Sequence, residues 1–235
     1  MKMQCATALL LICVMLFAGC NISQPSPTQT GASPEPGKAT FPPQDLTQPL
    51  IVRTNIYAFD NGYAIYPVIR GWNSISLINK KIQQVVTNYV NENSQYINDM
   101  DFDVMYNDKG IISIVLYAYG EDENITSYIP LNFDCTTGNQ IFLNDLFPKN
   151  SDEWRQVLAS NAQGLADKLA LTLLSDIKPV DNDRQFYLTK NSLVLVYNLY
   201  EITTYAQGMP RFVITYHNLS GLIEQGSYIA KIVKE

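Results

Sequence analysis

The chain has 235 residues, with 16 basic and 22 acidic side chains and a net charge of −6. That balance excludes nucleic acid and anionic lipid as partners gathered by bulk charge. One histidine, with only Cys135 as a thiol beyond the leader and its lipid cysteine, excludes a zinc site of His/Cys type on ligand count.

The first element is a secretory leader. Lys2 precedes an apolar run over residues 6–17, and Leu16-Phe17-Ala18-Gly19-Cys20 closes it as a lipobox. The run is shorter than the roughly 20 apolar residues that a membrane-spanning helix needs. The pattern predicts removal of residues 1–19 and a diacylglycerol on Cys20. That address is the outer face of a bacterial cytoplasmic membrane, with the lipid as anchor. Cleavage takes away Lys2 and no acid, leaving 15 basic and 22 acidic side chains, a net of −7. Cys5 and Cys13 leave with the leader and Cys20 is acylated, so Cys135 has no disulfide partner and packing must hold the core.

Residues 20–49 form the next segment. Between 21 and 49 lie seven prolines and seven Ser/Thr residues, with few apolar side chains. Such a segment cannot offset its ordering entropy by burial, so the expectation is a disordered tether spanning about 30 Å as a coil. Residues 50–235 remain for the folded part, as one domain or as two packed subdomains of about 50–134 and 135–235.

That part opens with strands at 51–59 and 63–68, separated by Asp60-Asn61-Gly62. Ile75, Ile78, Ile82, Val85, Val86 and Tyr89 recur at helical spacing and predict an amphipathic helix over 74–93. Strands near 101–106 and 111–119 form a hairpin through Asn107-Asp108-Lys109-Gly110, with Gly110 left-handed. A strand near 125–133 leads through Cys135-Thr136-Thr137-Gly138 into 140–143. A second helix is expected from about Asn150, with Glu153 in a capping arrangement. Trp154, Leu158, Leu165, Leu169 and Leu173 carry its buried face to about Ser175. Strands near 185–189, 192–198, 211–216 and 227–233 finish the chain. Hairpins with long helices between them predict an α+β fold with a mainly antiparallel sheet and two long amphipathic helices.

Catalytic signatures are scarce. Cys135 and His217 lack any supporting motif for a dyad and read as a buried thiol and a strand-end histidine. Asp99, Asp101 and Asp103 alternate, but an EF-hand loop from Asp99 would need Gly and Glu where Val104 and Gly110 stand. On a strand these carboxylates line one solvated face. Ser175-Asp176-Ile177-Lys178 matches Ser-x-x-Lys, yet it falls at the end of the predicted helix without companion motifs. No cofactor and no metal is expected. Fifteen tyrosines stand out instead, among them Tyr117 and Tyr119 on one strand face and Tyr200 and Tyr205 after a late strand. Tyrosine pairs an apolar ring with a polar tip, which suits sugar stacking or protein interfaces.

Several segments resemble a known family. Ile65-Tyr66-Pro67-Val68-Ile69, followed by Ile78-Asn79-Lys80-Lys81-Ile82, is similar to the opening of the extracellular domain of RsiV-type anti-sigma factors. A related non-catalytic domain occurs in PdaC-type peptidoglycan deacetylases. Residues 131–138 running to 143–147 resemble that family's "FDl-TG…L-DLF" signature. Phe186-Tyr187-Leu188-Thr189, Tyr200-Glu201-Ile202 and Tyr205-Ala206-Gln207-Gly208 are similar to its closing signature, and Tyr216 and Leu219 match the "pYseL" segment that normally comes after it. Where the family often carries a "GGAHG" loop, this chain has Gly120-Glu121-Asp122-Glu123-Asn124.

RsiV-type domains bind lysozyme, so the resemblance implies a lysozyme-like protein or a cell-wall glycan as ligand. The candidate ligand-binding set is Tyr117, Tyr119, Glu121, Asp122, Glu123, Tyr200, Glu201 and Tyr205. The expectation is a non-enzymatic surface lipoprotein with a binding module. The rivals are an enzyme acting on peptidoglycan or polysaccharide through paired carboxylates, and a structural subunit of a membrane complex.

Overall fold

The computed structural model describes residues 44–234. Cys20 and the leader lie outside them. Five strands form the first sheet: β1 (Val52–Phe59), β2 (Gly62–Ile69), β3 (Asp99–Asp108), β4 (Ile111–Tyr119) and β5 (Ile125–Asp134), in the order β1-β2-β3-β4-β5. All neighbours are antiparallel except β2 and β3. Those two pair in parallel because α1 (Ser74–Asn93) carries the chain across between them. The helix bounds are those that the apolar spacing predicts. Ile75, Ile78, Ile82, Val86 and Val90 form its buried stripe and pack on Ile112, Ile114, Leu116 and Ala118 of β4.

Two turns show why particular residues stand where they do. In Asp108-Lys109-Gly110-Ile111, both central residues take positive φ, 51° and 73°, the conformation of a two-residue hairpin that matches strand twist. After β5, Asp134 Oδ1 accepts the Thr136 N–H at 2.8 Å, and Gly138 has φ of 80°. A Cβ on Gly138 would lie 2.7 Å from the Ser74 carbonyl oxygen, so this turn seats directly on the start of α1. The Asp and Gly of the "FDl-TG" signature are thus fold residues.

A bulge divides β3. The register shifts between Val104 and Tyr106, leaving Met105 unpaired, so Tyr106 turns to the sheet face opposite α1. That face receives a second, three-stranded antiparallel sheet of β6 (Phe186–Leu188), β7 (Ser192–Val196) and β8 (Arg211–Thr215), in the order β6-β7-β8. Val115, Tyr117 and Tyr128 of the first sheet meet Tyr187, Val194 and Val196 of the second. Alternate residues of the small sheet, Leu188, Leu193, Leu195, Phe212 and Ile214, face outward into another core. That core is closed by α2 (Glu153–Lys168) and α3 (Tyr228–Val233). β7 is buried at every position because both its faces are covered.

The fold is α+β with mostly antiparallel strands, as the pattern predicts, but in two sheets, and two elements differ from expectation. α2 starts at Glu153 and stops at Lys168, well short of Ser175. Ala170 takes φ of 51° and the Leu171 N–H returns to the Ala166 carbonyl, a Schellman closure that ends the helix. Leu169 is therefore 62% exposed, and Leu173 joins an isolated bridge to Thr203. Ser175-Asp176-Ile177-Lys178 lies in irregular chain and not on a helix. The expected Asn150–Glu153 cap is absent; the Ser151 hydroxyl accepts the Glu153 N–H at 3.2 Å. The segment predicted as a strand near 227–233 is helical. Ser227 caps it by accepting the Ala230 N–H, and Ile229 and Ile232 share its buried side.

Of residues 44–49, read from composition as tether, Gln44 and Leu46 pack on the body while the other four are exposed. Asp45 accepts hydrogen bonds from Thr47, and Leu46 lies against the first core.

Candidate functional site

The sequence-predicted residues divide into those that meet at a surface and those spent on packing. After β4, residues 120–124 close on themselves: the Gly120 N–H donates to Asn124 and the Glu123 N–H to Gly120, with Glu123 at φ 57°. The Asn98 N–H bonds the Tyr119 carbonyl at 2.9 Å, which brings the segment after α1 beside this loop. Tyr96, Glu121, Asp122, Asn124, Thr126 and Tyr205 consequently line a cleft of about 380 Å³. Tyr96 and Tyr205 are 66% and 59% exposed, and Tyr205 stacks on Tyr200 with ring centroids 6.2 Å apart. No basic residue lines the cleft. It offers two carboxylates that are unpaired among the described residues and exposed ring faces, which together suit a cationic surface.

Glu123, also on the loop, is exposed but does not line the cleft. Glu201 is an internal tie: its carboxylate pairs with Arg184 and accepts the Asn198 N–H at 2.9 Å. Tyr117 is only 7% exposed. Its ring meets Tyr128 edge-on at 5.5 Å and its hydroxyl donates to Asp103 Oδ2 at 2.8 Å, so it cannot stack on a ligand in this conformation. Burial, then the Asp103 bond, pushes its pKa up. Tyr119 is half-buried, and its hydroxyl is raised first by desolvation and then by Asp101 and Asp103. The shared face of Tyr117 and Tyr119 is the one that the second sheet covers.

Cys135 is fully buried in the core under α1, and burial with the nearby Asp134 charge pushes its thiol up to about 12. Such a thiol stays protonated and is a poor nucleophile. His217 is exposed elsewhere, on the turn after β8. Among the described residues no three His, Cys, Asp or Glu side chains come together as a metal site, and no helix is long and apolar enough to cross a membrane.

Sequence reasoning missed two things. Tyr96 was one tyrosine among many, although its place between Gln95 and Asn98 in a polar loop after α1 marks it as exposed. A second cleft of about 590 Å³ brings Lys109, Lys190 and Lys234 together with His217 and Asp108. Those residues come from separate parts of the chain, and no spacing announces them.

The family model described as "Protein of unknown function (DUF3298)" matches residues 76–217, from the first turn of α1 to just past β8. Among solved structures, a member of the same family from Bacteroides fragilis is 16% identical. The match covers 81% of this chain and 100% of that one, with a TM-score of 0.56. A DUF3298 family protein from Pseudomonas aeruginosa is also 16% identical, over 77% of this chain and 97% of its own, at a TM-score of 0.52. Identities this low speak for the fold alone. No curated protein matches the chain. With more than half of its length matched by the family model, the chain belongs to the DUF3298 family.

Proposed function

We propose that this protein is a lipid-anchored, non-enzymatic binding module on the outer face of the cytoplasmic membrane, and that its ligand is a basic envelope protein of the lysozyme kind. The observation that carries this reading is the cleft of Tyr96, Glu121, Asp122 and Tyr205, which sets exposed aromatic rings beside carboxylates with no base among its lining residues. Tyrosines supply contact area at small entropic cost, and the carboxylates steer a cationic partner. The similarity to the extracellular domain of RsiV-type anti-sigma factors points the same way, and Cys20 in its lipobox supplies the anchor.

Binding of residues 21–235 to a basic lysozyme, measured by calorimetry across ionic strength, tests the ligand. Affinity is expected to fall as salt rises. Glu121→Gln with Asp122→Asn should weaken binding and flatten that dependence, whereas Tyr205→Ala should weaken it at every salt concentration. No binding at low salt removes the cationic partner. Salt-insensitive binding to purified peptidoglycan would make the cleft a glycan site, and released fragments would make the protein an enzyme. In cells, Cys20→Ala should move the protein from the membrane to the medium without unfolding it.

A further inference from the structure

We infer that the lysine-lined cleft binds the phosphate of anionic phospholipid head groups and seats the domain on the membrane with its acidic cleft facing outward. Lys109 reaches the cleft from the β3–β4 hairpin, Lys190 from the β6–β7 turn and Lys234 from the chain just after α3; His217 joins them from the turn after β8. Among the described residues one carboxylate, Asp108, lines the same space, and it already accepts the Lys109 backbone N–H at 2.8 Å. The Lys109 ammonium donates to the carbonyls of Ile232, at 3.2 Å, and Lys234, which fastens the end of α3. The ammonium groups of Lys190 and Lys234 have no partner among the described residues. Two free cations beside a third, in a chain of net charge −6, make a local positive site that the total charge conceals.

The position of this cleft favours a membrane over a soluble anion. Leu50 bonds the Asn107 side chain through both its N–H, at 2.9 Å, and its carbonyl, at 2.8 Å. Leu46 lies close to Gly110. The chain therefore enters the body at the β3–β4 hairpin, next to Lys109. The acidic cleft is at the other end of β4, about 27 Å away for a strand of that length. On the proposed lipid anchor, on which the nearness of a membrane rests, about 23 residues separate Cys20 from Gln44, where the described residues begin. An anionic leaflet attracts the lysine end and repels the acidic end, so charge and chain geometry select the same orientation.

Sedimentation of residues 21–235, which carry no lipid, with vesicles of equal parts phosphatidylglycerol and phosphatidylcholine tests the assignment against vesicles of phosphatidylcholine alone. Binding is expected only to the anionic vesicles and should weaken with salt. Lys190→Gln with Lys234→Gln should lower the partition coefficient roughly 25-fold, at about fivefold per lysine near such a surface. Lys109 is left intact because it holds α3, and an unchanged melting curve confirms that the double variant is folded. Equal binding to both vesicles, or anionic binding untouched by the double variant, overturns the proposal. Inorganic phosphate that shifts the amide resonances of Lys190 and Lys234, without vesicle binding, overturns it in favour of a free anion. The assay contains neither lysozyme nor an acylated cysteine, so its failure leaves the tether and the acidic cleft standing, and their failure leaves the vesicle result unchanged while removing the seat on the cell membrane.

Discussion

The two sheets of this molecule are stabilised in different ways. The five-stranded sheet has its own core, a single helical stripe of Ile75, Ile78, Ile82, Val86 and Val90 laid on the apolar face of β4 and its neighbours. The three-stranded sheet borrows. Its edge strand β6 is only three residues long, and its outer polar groups are met by side chains of the larger sheet. The Ser113 hydroxyl accepts the Leu188 N–H at 2.9 Å and donates to Asn132 Oδ1 at 2.7 Å, while Asn132 Nδ2 donates to the Phe186 carbonyl at 2.8 Å. Ser113 and Asn132 are 0% and 2% exposed, so each of these bonds replaces water that cannot enter. A short strand edge is thereby paired without a sixth strand being added. The dependence is unequal: the small sheet needs the large one for both an edge and a face, and gives it only the cover of one face in return.

The strongest way to break this asymmetry is to open each core in turn. Phe133→Ala under α1 and Trp154→Ala on the buried face of α2 should each cost about 3–5 kcal/mol. Because the small sheet is built on the large one, Phe133→Ala should strip hydrogen-exchange protection from both sheets. Trp154→Ala should leave α1 and β4 the better protected, and equal losses in the two variants would end the idea of dependence. Ser113→Ala comes next. It orphans the Leu188 N–H and the Asn132 side-chain Oδ1 in a dry interface, an expected loss of about 2–3 kcal/mol by urea denaturation, with exchange at Leu188 accelerating first.

Alkaline titration, compared between the wild type and Cys135→Ala, probes the first core. Burial raises the Cys135 thiol from its ordinary 9 to about 12, so the folded state holds that proton more tightly than the unfolded chain does. The stability it confers is intact below pH 9 and is lost as pH rises towards 12, by up to about 1.4 kcal/mol per pH unit. Cys135→Ala should remove that part of the slope. The buried Tyr197 and Tyr216 hydroxyls, also raised by burial, keep the remainder. The smallest effect is a gain. Ala170 holds a left-handed conformation at the end of α2, and Ala170→Gly should raise stability by about 0.5–1 kcal/mol, read as a higher urea midpoint.

How much of this was legible depends on which interactions set each element. α1 could be placed from 74 to 93 because its whole apolar face meets one partner and the 3.6-residue period survives intact. α2 could not be bounded. Leu169 and Leu173 continue the period, but a Schellman closure through Ala166 and Leu171 uses the residues after Lys168 for other contacts. The segment near 227–233 alternated too little to be told from a strand; Ile229 and Ile232 share a face only because Ser227 caps a helix there. Of the candidate site, Glu121, Asp122 and Tyr205 do line one cleft, with Tyr200 stacked beside it. Tyr117 and Glu201 looked equivalent to them in sequence. Whether a tyrosine or a carboxylate faces water depends on what covers it, and a strand cannot report that a second sheet lies on its outer face.

By itself the sequence determined the α+β class, the order of strands and long helices through Thr215, the left-handed hairpin at Gly110 and the acidic character of the loop at residues 120–124. All of these arise from local patterns: alternation, helical period, turn chemistry and charge within a few residues. Tertiary structure decided the rest. It split the strands into two sheets, turned Tyr106 across a bulge and joined Ser113 to β6. It also gathered Lys109, Lys190 and Lys234 at one end of β4 with Glu121 and Asp122 at the other. A net charge of −6 is a sum over the chain, and a sum carries no position. Only the packing of distant segments converts it into one negative and one positive surface.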